Sequence, residues 1–94
     1  MIKQIFKYSL QIADRQEISM PVGANILCVK MQYGNPVLYA IVDKGFDEKE
    51  NIVIGVYGTG HDIKENECTG YNQYLGTFLT ANDSLVFHVF RLTE

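Results

Sequence analysis

Apolar residues in this chain fall into short runs separated by turn residues, and those runs are rich in Val, Ile, Tyr and Phe. β-branched and aromatic side chains suit a pleated surface better than a helix, so the pattern predicts an all-β chain. Phe6, Tyr8, Leu10 and Ile12 alternate with Lys7, Ser9, Gln11 and Ala13, as in a strand with one buried face. Asp14-Arg15 then turns the chain. Ile18 and Met20 mark a second short strand, ended where Pro21 lacks a donor and Gly23 relaxes the backbone. Ile26 to Tyr33 leads through Gly34-Asn35-Pro36 into Val37 to Val42, which reads as a β-hairpin.

The charged stretch Asp43 to Asn51 is a solvated connection, with Phe46 expected to tuck onto the core. Ile52 to Tyr57 is a fifth strand. Gly58 to Gly70 is a long polar connection with at most one turn of helix, near Asp62 to Glu67. Tyr71 to Leu79 follows as a strand interrupted by Gly76, then a turn at Ala81-Asn82-Asp83, then Ser84 to Leu92 as a central final strand. Together these predict one domain over residues 1–94, an antiparallel β-sandwich or flattened barrel of about seven strands. Val37 to Val42 is apolar at both parities. A second sheet on one side and another subunit on the other would cover it, so a homo-oligomer is expected.

The chain has 94 residues, 47% of them hydrophobic and 20% charged, a balance that supports folding of a single small core. A formal charge of −3 argues against binding duplex nucleic acid through its phosphates. No apolar run approaches membrane-spanning length and the first residues lack a signal-peptide core, so a cytosolic protein without membrane contact is expected. Cys28 and Cys68 are read as free thiols. With His61 and His88 they are the only soft donors, at spacings that suit no zinc site, so neither metal nor cofactor is expected.

Tyr57-Gly58-Thr59-Gly60-His61 is the candidate site: two glycines permit a tight turn or close approach to a ligand, flanked by a phenol and an imidazole. Tyr71 and Tyr74, beside Asn72 and Gln73, add aromatic faces at the far end of the long connection. An ordinary strand-ending turn would use the same residues. Gly58-Thr59-Gly60 lacks the lysine and following helix of a phosphate loop. Catalysis would require His61 and His88 to meet across the sheet with Thr59 or Thr77 for phosphodiester cleavage. The H-x-T/S spacing of such enzymes occurs at neither histidine, so no catalytic residue is assigned. His88 reads as a half-buried, hydrogen-bonded histidine.

Several fragments resemble a family of small uncharacterised proteins encoded by phages and prophages. They are Phe6-Lys7-Tyr8, Met20-Pro21, Gly23-Ala24, Ile26-Leu27, then Gln32, Gly34, Pro36, Leu38, Ala40, Val42 and Asp43 across the hairpin. Tyr57 to His61, Leu75-Gly76-Thr77 and Leu85 to Phe90 complete the pattern. This chain departs from it by Phe6 in place of a tryptophan and by an extended Asp62 to Asn72 loop. The resemblance implies the cytoplasm of an infected bacterium, and no established activity. It favours an accessory protein that sequesters a host small molecule, such as a nucleotide-derived immune signal, at Tyr57, Gly58, Thr59, Gly60, His61, Tyr71 and Tyr74. The alternatives are a protein-binding inhibitor of a host defence factor and a small virion or assembly component.

Overall fold

The computed structural model describes residues 2–45, 47–64 and 73–92. Among these residues lie seven strands: β1 (Lys3–Ser9), β2 (Arg15–Pro21), β3 (Asn25–Gln32), β4 (Asn35–Asp43), β5 (Lys49–Gly58), β6 (Tyr74–Thr80) and β7 (Leu85–Arg91). All pairings are antiparallel. β1-β4-β3 form one sheet and β2-β5-β7-β6 the other, and the two are not closed into a barrel. The sandwich expected from the alternation is therefore present, with β7 inside its sheet as expected. No helix lies among the described residues, so none among them is long and apolar enough to cross a membrane.

The core lies between the sheets. Leu38, Ala40 and Val42 of β4 face Ile52, Ile54 and Val56 of β5 and Val89 of β7, joined by Met20, Val29 and Phe78. These residues sit at every second position of their strands, which is the alternation that brings one face of each sheet inward. On the opposite face of β4, Tyr39 and Ile41 are half-buried and Val37 is buried.

Turn chemistry explains several boundaries. The β3–β4 hairpin closes on Tyr33 and Gly34, both at positive φ (51° and 79°), the two-residue form whose twist matches paired strands. Asn35 and Pro36, expected in the turn, instead begin β4. Pro36 has no N–H to offer the carbonyl of Leu10, so the β1–β4 ladder ends with Leu10 N–H donating to Pro36 O (3.1 Å). Beyond it, the Gln16 side chain accepts from Gln11 N–H and donates to Gln11 O (2.9 and 2.8 Å), holding residues 11–14 as a loop. Hence β1 stops well before Ile12. The expected burial of Phe6 and Ile12 is not realised, since they are 42% and 52% exposed. β1 lies at a sheet edge, Ile12 lies in the loop, and neither is covered by the opposite sheet.

β5 begins earlier than the apolar run, at Lys49, because Pro21 and Met20 pair with Lys49 and Glu50. Gly76 does interrupt β6: the register slips between Tyr74 and Gly76, and a side chain at Gly76 would stand 3.1 Å from Val29 Cβ. Ala81, Asn82 and Asp83 all take left-handed φ, closed by Ser84 N–H and Oγ donating to Ala81 O (3.1 and 2.6 Å). Cys28 is a free thiol. Phe46, Cys68 and most of the expected helical turn lie outside the described residues; Asp62 to Lys64 form no helix.

Candidate functional site

β5 alternates between two environments. Ile52, Ile54 and Val56 point into the sandwich, so Val53, Gly55, Tyr57 and Thr59 lie toward the outer face of the four-stranded sheet. Tyr57 is only 5% exposed there, because its ring lies back along the strand over Gly55. A Cβ on Gly55 would stand 2.8 Å from Tyr57 Cε2 and 3.0 Å from Leu92 Cδ1. Gly55 therefore serves as the floor for a buried phenol. Phe90, paired opposite Gly55, completes this outer cluster, with Tyr57 6.2 Å away and Tyr74 packed edge-on at 5.5 Å. The expected site tyrosines Tyr57 and Tyr74 thus share Phe90 as a neighbour. Tyr74 keeps 47% of its surface exposed, while Tyr71 lies outside the described residues.

The turn after β5 is tight. His61 N–H donates to Gly58 O (3.0 Å), and Gly60 takes φ +88° at the third turn position, where glycine is favoured. Thr59 N–H donates to Val86 O (3.1 Å), fastening the turn to β7. His61 folds its ring onto the Cα of Gly58, whose Cβ would lie 2.6 Å from His61 Cε1. The missing side chain, not a positive φ, is what lets the His61 ring lie this close to Gly58.

The second imidazole is held differently. Thr59 Oγ1 lies 2.7 Å from His88 Nε2, and Thr77 Oγ1 lies 3.1 Å from His88 Nδ1. Tyr74 Oη hydrogen-bonds in turn to Thr77 Oγ1, giving a chain Thr59–His88–Thr77–Tyr74. With a neutral ring, one threonine donates to the bare nitrogen and the other accepts from the protonated one. Register explains the assembly: Thr77, His88 and Tyr57 are direct cross-strand partners in one row. This is the hydrogen-bonded histidine expected of a half-buried position. His61 and His88 do not pair, because the Gly58 side of β5 on which His61 rests is opposite to that of Thr59. Neither ring hydrogen-bonds to a carboxylate among the described residues, so no acid–base pair is assembled.

A cleft of about 360 Å³ opens beside the turn, lined by Asp14, Arg15, Tyr57, His61, Asp62, Lys64 and Leu92. Its size is at the lower end of small-molecule sites, about 300–1,000 Å³. A second cleft, about 290 Å³, holds Tyr74 with Asn25, Gln73 and Arg91, and shares Leu92 with the first. Tyr74 and the Tyr57–His61 turn therefore line two neighbouring clefts rather than one pocket. Arg15, Asp14 and Lys64 were not expected at the site. Arg15 arrives because β2 pairs with β5 at Gly55, a register that single-strand patterns do not reveal. Among the described residues no group of three or more His, Cys, Asp or Glu side chains could hold a metal.

A family profile described as a domain of unknown function, DUF7352, matches residues 1–94, and the chain belongs to that family. No curated protein and no solved structure matches it.

Proposed function

We propose that this DUF7352 chain is a binding protein that sequesters a nucleotide-type small molecule, without catalysis, in the cleft beside the Tyr57–His61 turn. One observation carries the reading: Arg15 and Lys64 meet Tyr57, His61, Asp14 and Asp62 around a single cleft. Two cations suit a phosphate, while the carboxylates accept from hydroxyl or amino groups of a sugar or base. Tyr57, being buried, gives the wall rigidity, and His61 offers an exposed ring beside it. A noncatalytic role fits an imidazole, His88, whose nitrogens are both occupied by threonine hydroxyls. In the phage setting that the sequence resemblance implies, such a binder would withdraw a nucleotide-derived immune signal from the infected host cytoplasm.

The test is to incubate the protein with lysate of defence-activated bacteria, release bound small molecules by heating, and identify them by mass spectrometry. A retained phosphorylated compound, lost with Arg15→Ala and reduced with Gly58→Ala, is the expected result. Empty protein from such lysates sinks the proposal. The alternative reading, an inhibitor that binds a host protein, is favoured by Tyr33, which stands 91% exposed at the β3–β4 hairpin tip. An exposed aromatic at a rigid tip is a common anchor in protein interfaces. Capture of one stoichiometric host protein, abolished by Tyr33→Ala and accompanied by no small molecule, would favour this alternative.

A further inference from the structure

The two flanks of the sandwich end differently. On one, β3 lies against β6 through Val29 and Gly76. On the other, β1 has β4 on one side and no strand on the other among the described residues. Lys44 N–H donates to Ile2 O (2.8 Å) and Leu10 N–H to Pro36 O (3.1 Å), so the even-numbered residues of β1 direct their main-chain groups at β4. The N–H and C=O groups of Lys3, Ile5, Lys7 and Ser9 therefore point out of the sheet's edge. Apolar side chains flank that edge on both faces: Ile5 is 61% exposed on the outer face, Ile2 and Phe6 66% and 42% on the inner.

Edge strands are ordinarily guarded by lysines that keep other strands away. Here both lysines are drawn back over their own sheet. Lys3 Nζ lies 3.1 Å from Asp43 Oδ1, an ion pair without the angle of a hydrogen bond, and Lys7 Nζ donates across β4 to Gln32 Oε1 (2.6 Å). We infer that β1 is a pairing edge for a second copy of this chain, joined antiparallel about a two-fold axis at Phe6.

Hydrogen-bond direction and charge select that register. The outward residues must pair with each other, which allows registers two residues apart. Centring on Ile5 sets Lys3 opposite Lys7 of the second copy, and centring on Lys7 sets the two Lys7 side chains opposite each other. Like charges directly opposite destabilise a sheet. Centring on Phe6 instead pairs Lys3 with Ser9 and Ile5 with Lys7, satisfies all four outward residues, and stacks Phe6 on its symmetry mate. The result is a six-stranded sheet, β3-β4-β1 continued by β1-β4-β3 of the second copy. It covers the most exposed apolar strand of the molecule and leaves the Tyr57–His61 cleft outside the joint, so it stands independently of the ligand reading.

The register is tested with single cysteines introduced in a Cys28→Ser, Cys68→Ser background of the full chain. In the proposed joint Phe6 meets its own copy at a non-hydrogen-bonded pair, with Cα atoms about 4.5 Å apart, whereas Gln4 meets Tyr8. Mild oxidation should therefore yield a covalent dimer from Phe6→Cys and none from Gln4→Cys. Light scattering of the unmodified protein should give twice the 10.7 kDa chain mass. Ile5→Lys, an exposed substitution that sets a new cation opposite Lys7, should return it to the monomer. Adding Lys7→Glu should restore the dimer. A monomer at every concentration, a dimer indifferent to Ile5→Lys, or equal cross-linking at Gln4 and Phe6 overturns the proposal. So does an edge occupied by an extended segment of a different protein.

Discussion

Two phenylalanines show how differently the flanks of this sandwich are built. Phe78, on β6 at the closed flank, is 2% exposed and stacks on Phe87 with ring centroids 5.4 Å apart. Phe6, on β1 at the open flank, has its side chain on the core-facing side opposite Ala40, yet is 42% exposed. Both have the same side chain, and both lie at positions that alternation would call inward. Only one has a second layer above it. The comparison shows that strand periodicity reports a strand's two faces, while burial depends on what the other sheet reaches.

The sharpest way to break this contrast is truncation on each flank. Phe78→Ala should cost about 3–5 kcal/mol, in the range for deleting a buried aromatic. Phe6→Ala should cost less than about 1 kcal/mol of monomer stability, read from urea unfolding at low protein concentration. Equal losses would mean that the open flank is packed after all. A higher midpoint for the unmodified protein at high concentration, absent in Phe6→Ala, would show β1 stabilised by association.

The closed flank predicts a smaller effect at Gly76. An added methyl would stand 3.1 Å from Val29 Cβ and 3.3 Å from its main-chain nitrogen, and backbone cannot yield as a side-chain tip does. Gly76→Ala should therefore destabilise by about 1–3 kcal/mol, measured by denaturant midpoint. Gly58→Ala offers the contrast. The three atoms nearest its methyl all belong to the exposed His61 ring, which can swing away, so the loss should stay below about 1 kcal/mol while ligand retention falls.

The smallest effect belongs to Tyr8, the residue of β1 that packs against the core. Burial raises its phenol above the ordinary value of 10.0 by disfavouring the phenolate. A raised value in the folded state means a contribution fully present below the unfolded value and lost as pH rises through the folded one. Stability should thus decline in alkaline solution, and Tyr8→Phe should remove part of that decline. An unchanged alkaline profile in Tyr8→Phe would place the ring in solvent with the rest of β1.

Much of the fold was legible because its causes are local. The hairpin from Asn25 to Asp43, the break at Gly76 and the turn at Ala81 to Asp83 follow from alternation and turn chemistry within a few residues. The site was legible only in outline. Gly58 to His61 form a tight turn, and of that turn His61 joins Tyr57 in lining the first cleft, while Tyr57 is buried over Gly55 and Tyr74 lines a neighbouring cleft. Arg15 at the cleft and the bracketing of His88 by Thr59 and Thr77 depend on strand register between segments far apart in sequence. No spacing rule along one segment encodes such a register.

The sequence by itself determined an antiparallel β domain, because side-chain period, β-branching and glycine placement act on the backbone over short range. Tertiary structure alone decided which strands share a sheet, and left β1 uncovered where the second layer ends. It also decided that Gly55 and Gly58 are needed for the rings lying on them rather than for backbone freedom. These outcomes depend on contacts between separate strands, and such contacts exist only once the two sheets have packed.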